Sequence, residues 1–212
     1  VSARLARAFF ERDTITVARE LLGQRLVAVR QHARCGGLIV EVEAYIGESD
    51  RACHARSGPT ERNRAMYGRP GCAYVYFIYG MHYCLNIVTE TEGFPAAILI
   101  RALQPVEGIP AMVHRRGGRD GVEIANGPAK LCQALAIDRR HNGADMCAPD
   151  ATLFVEGEAL VPEGSVVRGR RIGVRGDERA LAAPWRLHLR DNPYVSGHRP
   201  GSANVGGVHA AR

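Results

Sequence analysis

The sequence predicts a single α/β domain of the α+β type, with a mostly antiparallel, curved sheet, surrounding helices and a protruding β-hairpin. Three observations carry that prediction. Several apolar runs alternate with the period of two expected of strands. Three stretches combine capping residues with helical apolar spacing. The 212 residues, 46% hydrophobic, suffice for one core and contain no repeat or linker that would divide it. The domain is placed at residues 1–196, and residues 197–212, rich in Gly, Ser and Ala without periodicity, are expected to form a disordered tail.

The elements follow in order. Asp13, Thr14 and Thr16 cap a helix through Ala18 and Leu22, which Gly23 stops. A strand over Gln24 to Arg30 turns through Gln31 to Gly37 and returns over Leu38 to Tyr45. From Gly47 to Pro70 the chain becomes polar, and a connection this long inside one domain is either functional or disordered. An aromatic hairpin follows, with one strand to about Ile78, a tip at Tyr79, Gly80 and Met81, and a return through Asn86. A third apolar strand runs from Ala96 to Ala102. Gln104 and Pro105 open a helix through Met112 and Val113, which ends in a flexible basic loop, Arg115 to Arg119. Asn126-Gly127-Pro128 caps a helix over Ala129 to Ala136. Short strands recur near Leu153 to Val155, Ser165 to Val174 and Trp185 to Leu189.

The net charge of +6 favours a polyanionic partner. Of the 28 Lys and Arg, one is lysine, Lys130; the arginines carry planar forks that suit phosphate oxygens. The 6 cysteines are scattered without a Cys-x-x-Cys pair, a pattern of reduced, mostly buried thiols rather than a disulfide scaffold. Cys53 and His54 with His82 and Cys84 match no zinc spacing, so no metal and no other cofactor is expected. The N-terminal residues lack the apolar core of a signal peptide, and no run reaches about 18 apolar residues. A cytoplasmic protein with no membrane contact is expected, nucleoid-associated if bacterial. Val1 suggests a processed or truncated start.

Four of the 7 tyrosines, Tyr74, Tyr76, Tyr79 and Tyr83, fall in the hairpin. Tyr79, at the tip, projects from a rigid ribbon, where exposure is costly unless a flat partner such as a base docks on it. With the tip centred near Met81, Tyr76 and Asn86 would lie opposite each other, one stacking on a flat ligand while the other bonds its edge. A core tyrosine and a satisfied buried amide account for the pair equally.

Glu41, Glu43 and Tyr45 share one face of their strand. Their plain reading is a half-buried strand with its acids facing water. Their chemical reading is a pair of acids one pleat apart, leading into the polar segment, one of them a general base. Arg101, in an apolar run, requires an acid or anion beside it, as a structural pair or as a partner of a catalytic carboxylate. Lys130 suits a phosphate contact or a solvated position better than Schiff-base chemistry.

Glu41-Val42-Glu43-Ala44-Tyr45, Arg62-Asn63-Arg64, Tyr74 to Met81, Leu85-Asn86-Ile87, Ile100 to Leu103 and Gly127 to Leu135, in that order, resemble the alkyladenine (3-methyladenine) DNA glycosylase family. The resemblance spans about Leu5 to Ser196. It implies a monofunctional enzyme that flips alkylated or deaminated purines out of duplex DNA and hydrolyses the N-glycosidic bond without Schiff-base chemistry. By position, Glu43 would be the general base activating water, which Arg101 and the main-chain carbonyl of Ile172 would hold. Tyr45, His54 and Tyr76 would sandwich the flipped base, and Asn86 would clash with a guanine 2-amino group. Tyr79 would be the intercalating wedge. Met81 and His82, with Arg62, Arg64 and Lys130, would meet the DNA backbone. His82 stands where some relatives carry an aromatic. One-lesion recognition requires only a monomer. The competing reading is a non-catalytic nucleic-acid-binding domain on the same scaffold, which has no use for a carboxylate in a phosphate-attracting groove.

Overall fold

The computed structural model describes residues 3–78 and 80–197. The predicted tail from residue 198 onward and Tyr79 lie outside the described residues. The chain runs α1 (Arg7–Phe10), α2 (Thr14–Leu21), β1 (Arg25–Arg30), β2 (Ala33–Ile46), β3 (Ala73–Ile78), β4 (His82–Val88), β5 (Ala96–Glu107), α3 (Ile109–Arg115), α4 (Pro128–Leu135), β6 (Leu153–Glu156), β7 (Val166–Gly169), α5 (Glu178–Ala182) and β8 (Arg186–Leu189). The described residues form one antiparallel sheet of eight strands in the order β3-β4-β5-β2-β1-β6, with β8 on β2 and β7 on β8.

The 14-residue β2 organises this sheet. One of its edges pairs with β5, while the other is shared by β1 and then, from Glu41 to Glu43, by β8. Where β1 hands over to β8 the ladder with β5 slips: Ile39 opposes Leu103, Glu41 opposes Ala102 and Val42 opposes Ile100, leaving Val40 and then Arg101 unmatched. Such bulges bend a strand and re-aim side chains.

The pleat then sorts the two faces. On one, Val42, Ala44, Val75, Leu85, Ile87, Ile98 and Ile100 pack against Val17, Ala18 and Leu21 of α2 and Leu131 and Leu135 of α4. Leu85, Ile87, Ile98 and Ile100 are fully buried, and each such burial contributes about 1.5–3 kcal/mol. The other face carries the aromatic residues. Helix α2 forms as predicted: the Asp13 carboxylate accepts from the Thr16 N–H at 2.8 Å, and Gly23, at φ +85°, turns the chain away.

Three expectations are corrected. Gln104 and Pro105 continue β5 instead of opening a helix; β4 reaches only as far as Leu99, so the missing N–H of Pro105 breaks no ladder on that side. The helix begins at Ile109, with Pro110 in its first turn. The basic loop after α3 is not free, because buried Arg116 donates to the carbonyls of Ile124 (3.0 Å) and Glu123 (3.2 Å). The strand predicted to reach Val174 stops at Gly169, and Arg171 turns out of the sheet to meet Asp50.

Candidate active site

A cavity of about 460 Å³ opens on the aromatic face of the sheet. Its lining follows from register. Tyr74 opposes Asn86, Tyr76 opposes Cys84, Asn86 opposes Leu99 and Glu43 opposes Leu99 on the far edge of β5, so one pleat face carries them all. Tyr45, Tyr74, Tyr76, Cys84, Asn86 and Arg101 are therefore neighbours in the cavity wall. The pairing of Tyr76 with Asn86 is corrected. The hairpin centres on Gly80, at φ +69°, not on Met81. Moving the centre by one residue moves each partner by two, which preserves the face but gives Asn86 to Tyr74.

The wall is built from the hairpin and the polar loop together. The Tyr74 hydroxyl and His54 Nδ1 share a hydrogen bond of 2.8 Å. The His54 ring meets the Tyr76 ring edge-on at 4.5 Å. Asn63, buried between Arg62 and Arg64, donates through Nδ2 to the carbonyls of His54 and Gly58, both at 3.0 Å, and so fixes the loop that presents His54. Burial of the ring among these groups, with Arg62 and Arg56 nearby, presses the His54 pKa down to about 4, although the residue as a whole keeps exposed surface. Burial likewise pushes the Tyr74 and Tyr76 hydroxyls up. At neutral pH the aromatic members of the wall are thus uncharged, while Arg101, Arg56 and Arg175 give the lining positive charge. Asn86 donates Nδ2 to the Tyr74 carbonyl at 3.0 Å.

Glu43 does not line the cavity. It is fully buried directly behind the lining and touches three of its members. Its Oε1 accepts the Ile172 N–H at 2.7 Å and lies 3.2 Å from Arg101, while Oε2 accepts the Tyr45 hydroxyl at 2.8 Å. The expectation of acids facing water is overturned, since Glu41 is fully buried as well. Arg101 lies between them, its Nε donating to Glu41 Oε1 at 3.0 Å. Burial opposes charge at Arg101, but Glu43 and Glu41 outweigh it and raise its pKa. Ile172 reaches Glu43 through its N–H, a contact distinct from the carbonyl role that the resemblance implies.

Sequence reasoning missed what holds Ile172 in place. Arg171 and Asp50 form a side-chain pair with no exposure, bidentate at 2.6 and 2.9 Å. Arg171 also donates to the carbonyls of Ala44 and Ala180, and lies 4.7 Å over the Tyr45 ring and 5.0 Å over Trp185. The only sign of this in the sequence was an arginine beside Ile172 and an aspartate at the head of the polar loop. They stand 121 residues apart.

Of the residues assigned to a backbone contact, His82 lines the cavity, and Met81 and Lys130 line neighbouring ones. Met81 is 69% exposed and His82 is also exposed. The guanidinium of Arg62 lies 5.9 Å over the Tyr76 ring. Arg64 pairs with Glu61 at the surface, and Lys130 bonds Glu123 (2.9 Å) and Asn126 (2.7 Å). His82 and Ala129 also line two further cavities, of about 540 and 380 Å³, where Arg30, Arg115, Arg119 and Lys130 lie. Arginines thus stand in the cavities that adjoin the site through His82 and Ala129.

Aromatic rings thus line a cavity with a buried carboxylate directly behind it and arginines in the cavities beside it, an arrangement that defines a ligand-binding protein of the α+β class. The family model described as Methylpurine-DNA glycosylase (MPG) matches residues 8–193, and the chain belongs to that family. A protein of Methanocella arvoryzae named "Putative 3-methyladenine DNA glycosylase" is 50% identical over 93% of this chain and 98% of its own length. Proteins of the same name from Anaeromyxobacter dehalogenans and Alkaliphilus oremlandii are 47% and 41% identical, over 94% and 91% of this chain and 89% and 98% of theirs. Among the described residues no helix is long and apolar enough to cross a membrane.

Proposed function

We propose that this protein is a monofunctional DNA glycosylase that flips alkylated or deaminated purines from duplex DNA and hydrolyses their N-glycosidic bond. The observation that carries the reading is the buried carboxylate of Glu43, ordered by Arg101, Tyr45 and the Ile172 N–H immediately behind an aromatic cavity. A cavity of about 460 Å³ is within the usual range for a bound small molecule.

The flipped base lies among Tyr45, His54 and Tyr76, and Asn86 excludes a guanine 2-amino group. Unstacking costs a few kcal/mol, least at a damaged pair, so damaged bases enter preferentially. A purine alkylated on a ring nitrogen is cationic, which suits the electron-rich faces of the tyrosine rings and makes the base a good leaving group. Water held by Arg101 and the Ile172 carbonyl gives a proton to Glu43 as its oxygen bonds C1′ and the C1′–N bond breaks. The products are the free base and an abasic site. Tyr79, by resemblance alone, is the wedge that fills the vacated stack. Met81, His82, Arg62, Arg64 and Lys130 follow the backbone. Lys130 is engaged by Glu123 and lines a neighbouring cavity, not the base cavity, which supports a direct hydrolysis without a Schiff base. The partner is duplex DNA carrying a damaged purine, and one protomer suffices.

Purified protein should release 3-methyladenine from alkylated duplex DNA, and Glu43→Gln should bind the lesion without cleaving it. Undiminished release by Glu43→Gln would eliminate the mechanism. Oligonucleotides carrying 3-methyladenine, 7-methylguanine, hypoxanthine or ethenoadenine rank the substrates.

A further inference from the structure

The bracing of Arg101 extends beyond Glu43. All three of its guanidinium nitrogens are engaged: Nε with Glu41 Oε1 at 3.0 Å, one terminal nitrogen with Glu43 Oε1 at 3.2 Å, and the other with Ser196 Oγ at 3.3 Å. Glu41 is also saturated. Its Oε1 accepts from Arg186 Nε at 2.6 Å as well as from Arg101, and its Oε2 accepts the Ser196 N–H at 2.7 Å. Burial alone would raise the pKa of Glu41, but Arg101, Ser196 and Arg186 together hold it lowered, so it remains a carboxylate. A buried anion one pleat from the proposed base is expensive, and packing does not require it.

We propose that Glu41 is a positioning residue for catalysis: it holds the Arg101 fork between two carboxylates, so that only part of the guanidinium charge falls on Glu43, and Arg186 sets how much. The proposal rests on the reading of Glu43 as general base. Without Glu41, Arg101 and Arg186 would face one carboxylate, stabilise it as the anion and make it a weaker base. Without Arg186, Glu41 would draw Arg101 toward itself and leave Glu43 less compensated. Glu43 is also faced by Tyr45 of β2, by Tyr76 and Cys84 of the hairpin, and by Arg171 and the Ile172 N–H after β7. Around Glu41, β8 adds His188 to Arg186. Both variants leave the other groups in place, so opposite displacements isolate the shared arginine.

The test is the pH dependence of single-turnover release of 3-methyladenine from alkylated duplex DNA by the full chain, with spontaneous loss subtracted. Glu41→Gln should move the acid limb to lower pH by about one unit and lower the plateau by roughly 3- to 10-fold. Arg186→Met should move the limb to higher pH, with lesion affinity unchanged in both. Acid limbs that stay in place in both variants, or move in the same direction, overturn the proposal and return Glu41 to a structural role. If Glu41→Gln does not fold, the direction of the Arg186→Met shift decides alone. Glu43→Gln, measured alongside, separates the two readings: retained release there refutes the general base itself, whatever Glu41 does.

Discussion

The Tyr45 hydroxyl donates to Glu43 Oε2 at 2.8 Å, two residues along the same strand face, so the ring assigned to stack on the base also caps the carboxylate assigned to activate water. Burial and then Glu43 push this hydroxyl far up, so it remains a donor throughout the working range. Tyr45→Phe should retain stacking and lesion binding. It removes a hydrogen bond to a charged group, worth about 1.5–3 kcal/mol. The acid limb of the single-turnover profile should therefore move up by roughly one to two pH units. An unmoved limb would show that the hydroxyl does not stabilise the carboxylate.

The pair between Asp50 and Arg171 has no solvent to screen it. Asp50→Asn leaves a buried guanidinium uncompensated, a loss of about 3–5 kcal/mol. For a domain of this size the melting temperature should fall by roughly 6–20 °C. Calorimetry measures this directly, and a fall of only a degree or two would place the pair among surface ion pairs.

Lys130 is partly exposed and its bond to Glu123 is at the surface, where such pairs are worth about 0–1 kcal/mol and yield readily to a phosphate. Lys130→Ala should weaken binding to damaged and undamaged duplexes alike and reduce the slope of log affinity against log salt by about 1. Covalent trapping with borohydride should produce no adduct in either protein. An adduct lost with Lys130 would replace hydrolysis by amine chemistry.

Asn86 spans the cavity floor and the Tyr74 carbonyl. Asn86→Ala should increase excision of undamaged guanine relative to 3-methyladenine, because the proposed clash with the 2-amino group is removed. Product analysis by chromatography reads the ratio. A ratio equal to that of the parent would confine Asn86 to bonding the hairpin.

Acid should destabilise the fold in a defined window. Glu41 is held below its ordinary 4.5 despite burial, by Arg101, Ser196 and Arg186, and Arg140 holds Asp138 down at about 2. Groups lowered on folding contribute stability that is complete above their unfolded values and fades as pH falls through the folded ones. His54, neutral in the fold down to about 4 but ordinarily protonated below 6.5, should start the decline, lowering the melting temperature as pH falls from about 6.5 to 4 while the unfolded chain takes up its proton. The lowered carboxylates should continue the decline from about pH 4.5 toward pH 2. A melting temperature that His54→Gln leaves with the same dependence between about pH 6.5 and 4.5 would contradict the His54 environment.

The periodicity of two was enough to place Glu41, Glu43 and Tyr45 on one face of their strand, because alternation is a property of the backbone at each residue, while the relation of Tyr76 to Asn86 depended also on where the hairpin turns. The same local rules located α2, α4 and the hairpin, and the ordered motifs identified the family. Local rules could not assign Pro105, since its tolerance depends on where a neighbouring strand stops. Nor could they tell an acid facing water from one buried at 0%.

What the sequence determined by itself is therefore the chemistry available: a carboxylate, an arginine and aromatic rings on defined faces. Only the tertiary structure decided how deep the carboxylate lies and what braces it. The ladder slip at Glu41 and Arg101, the reach of Arg171 to Asp50 and the return of Ser196 to Glu41 each join segments distant in the chain. Such contacts form only when loop closure is offset by burial elsewhere, and no local pattern records that balance.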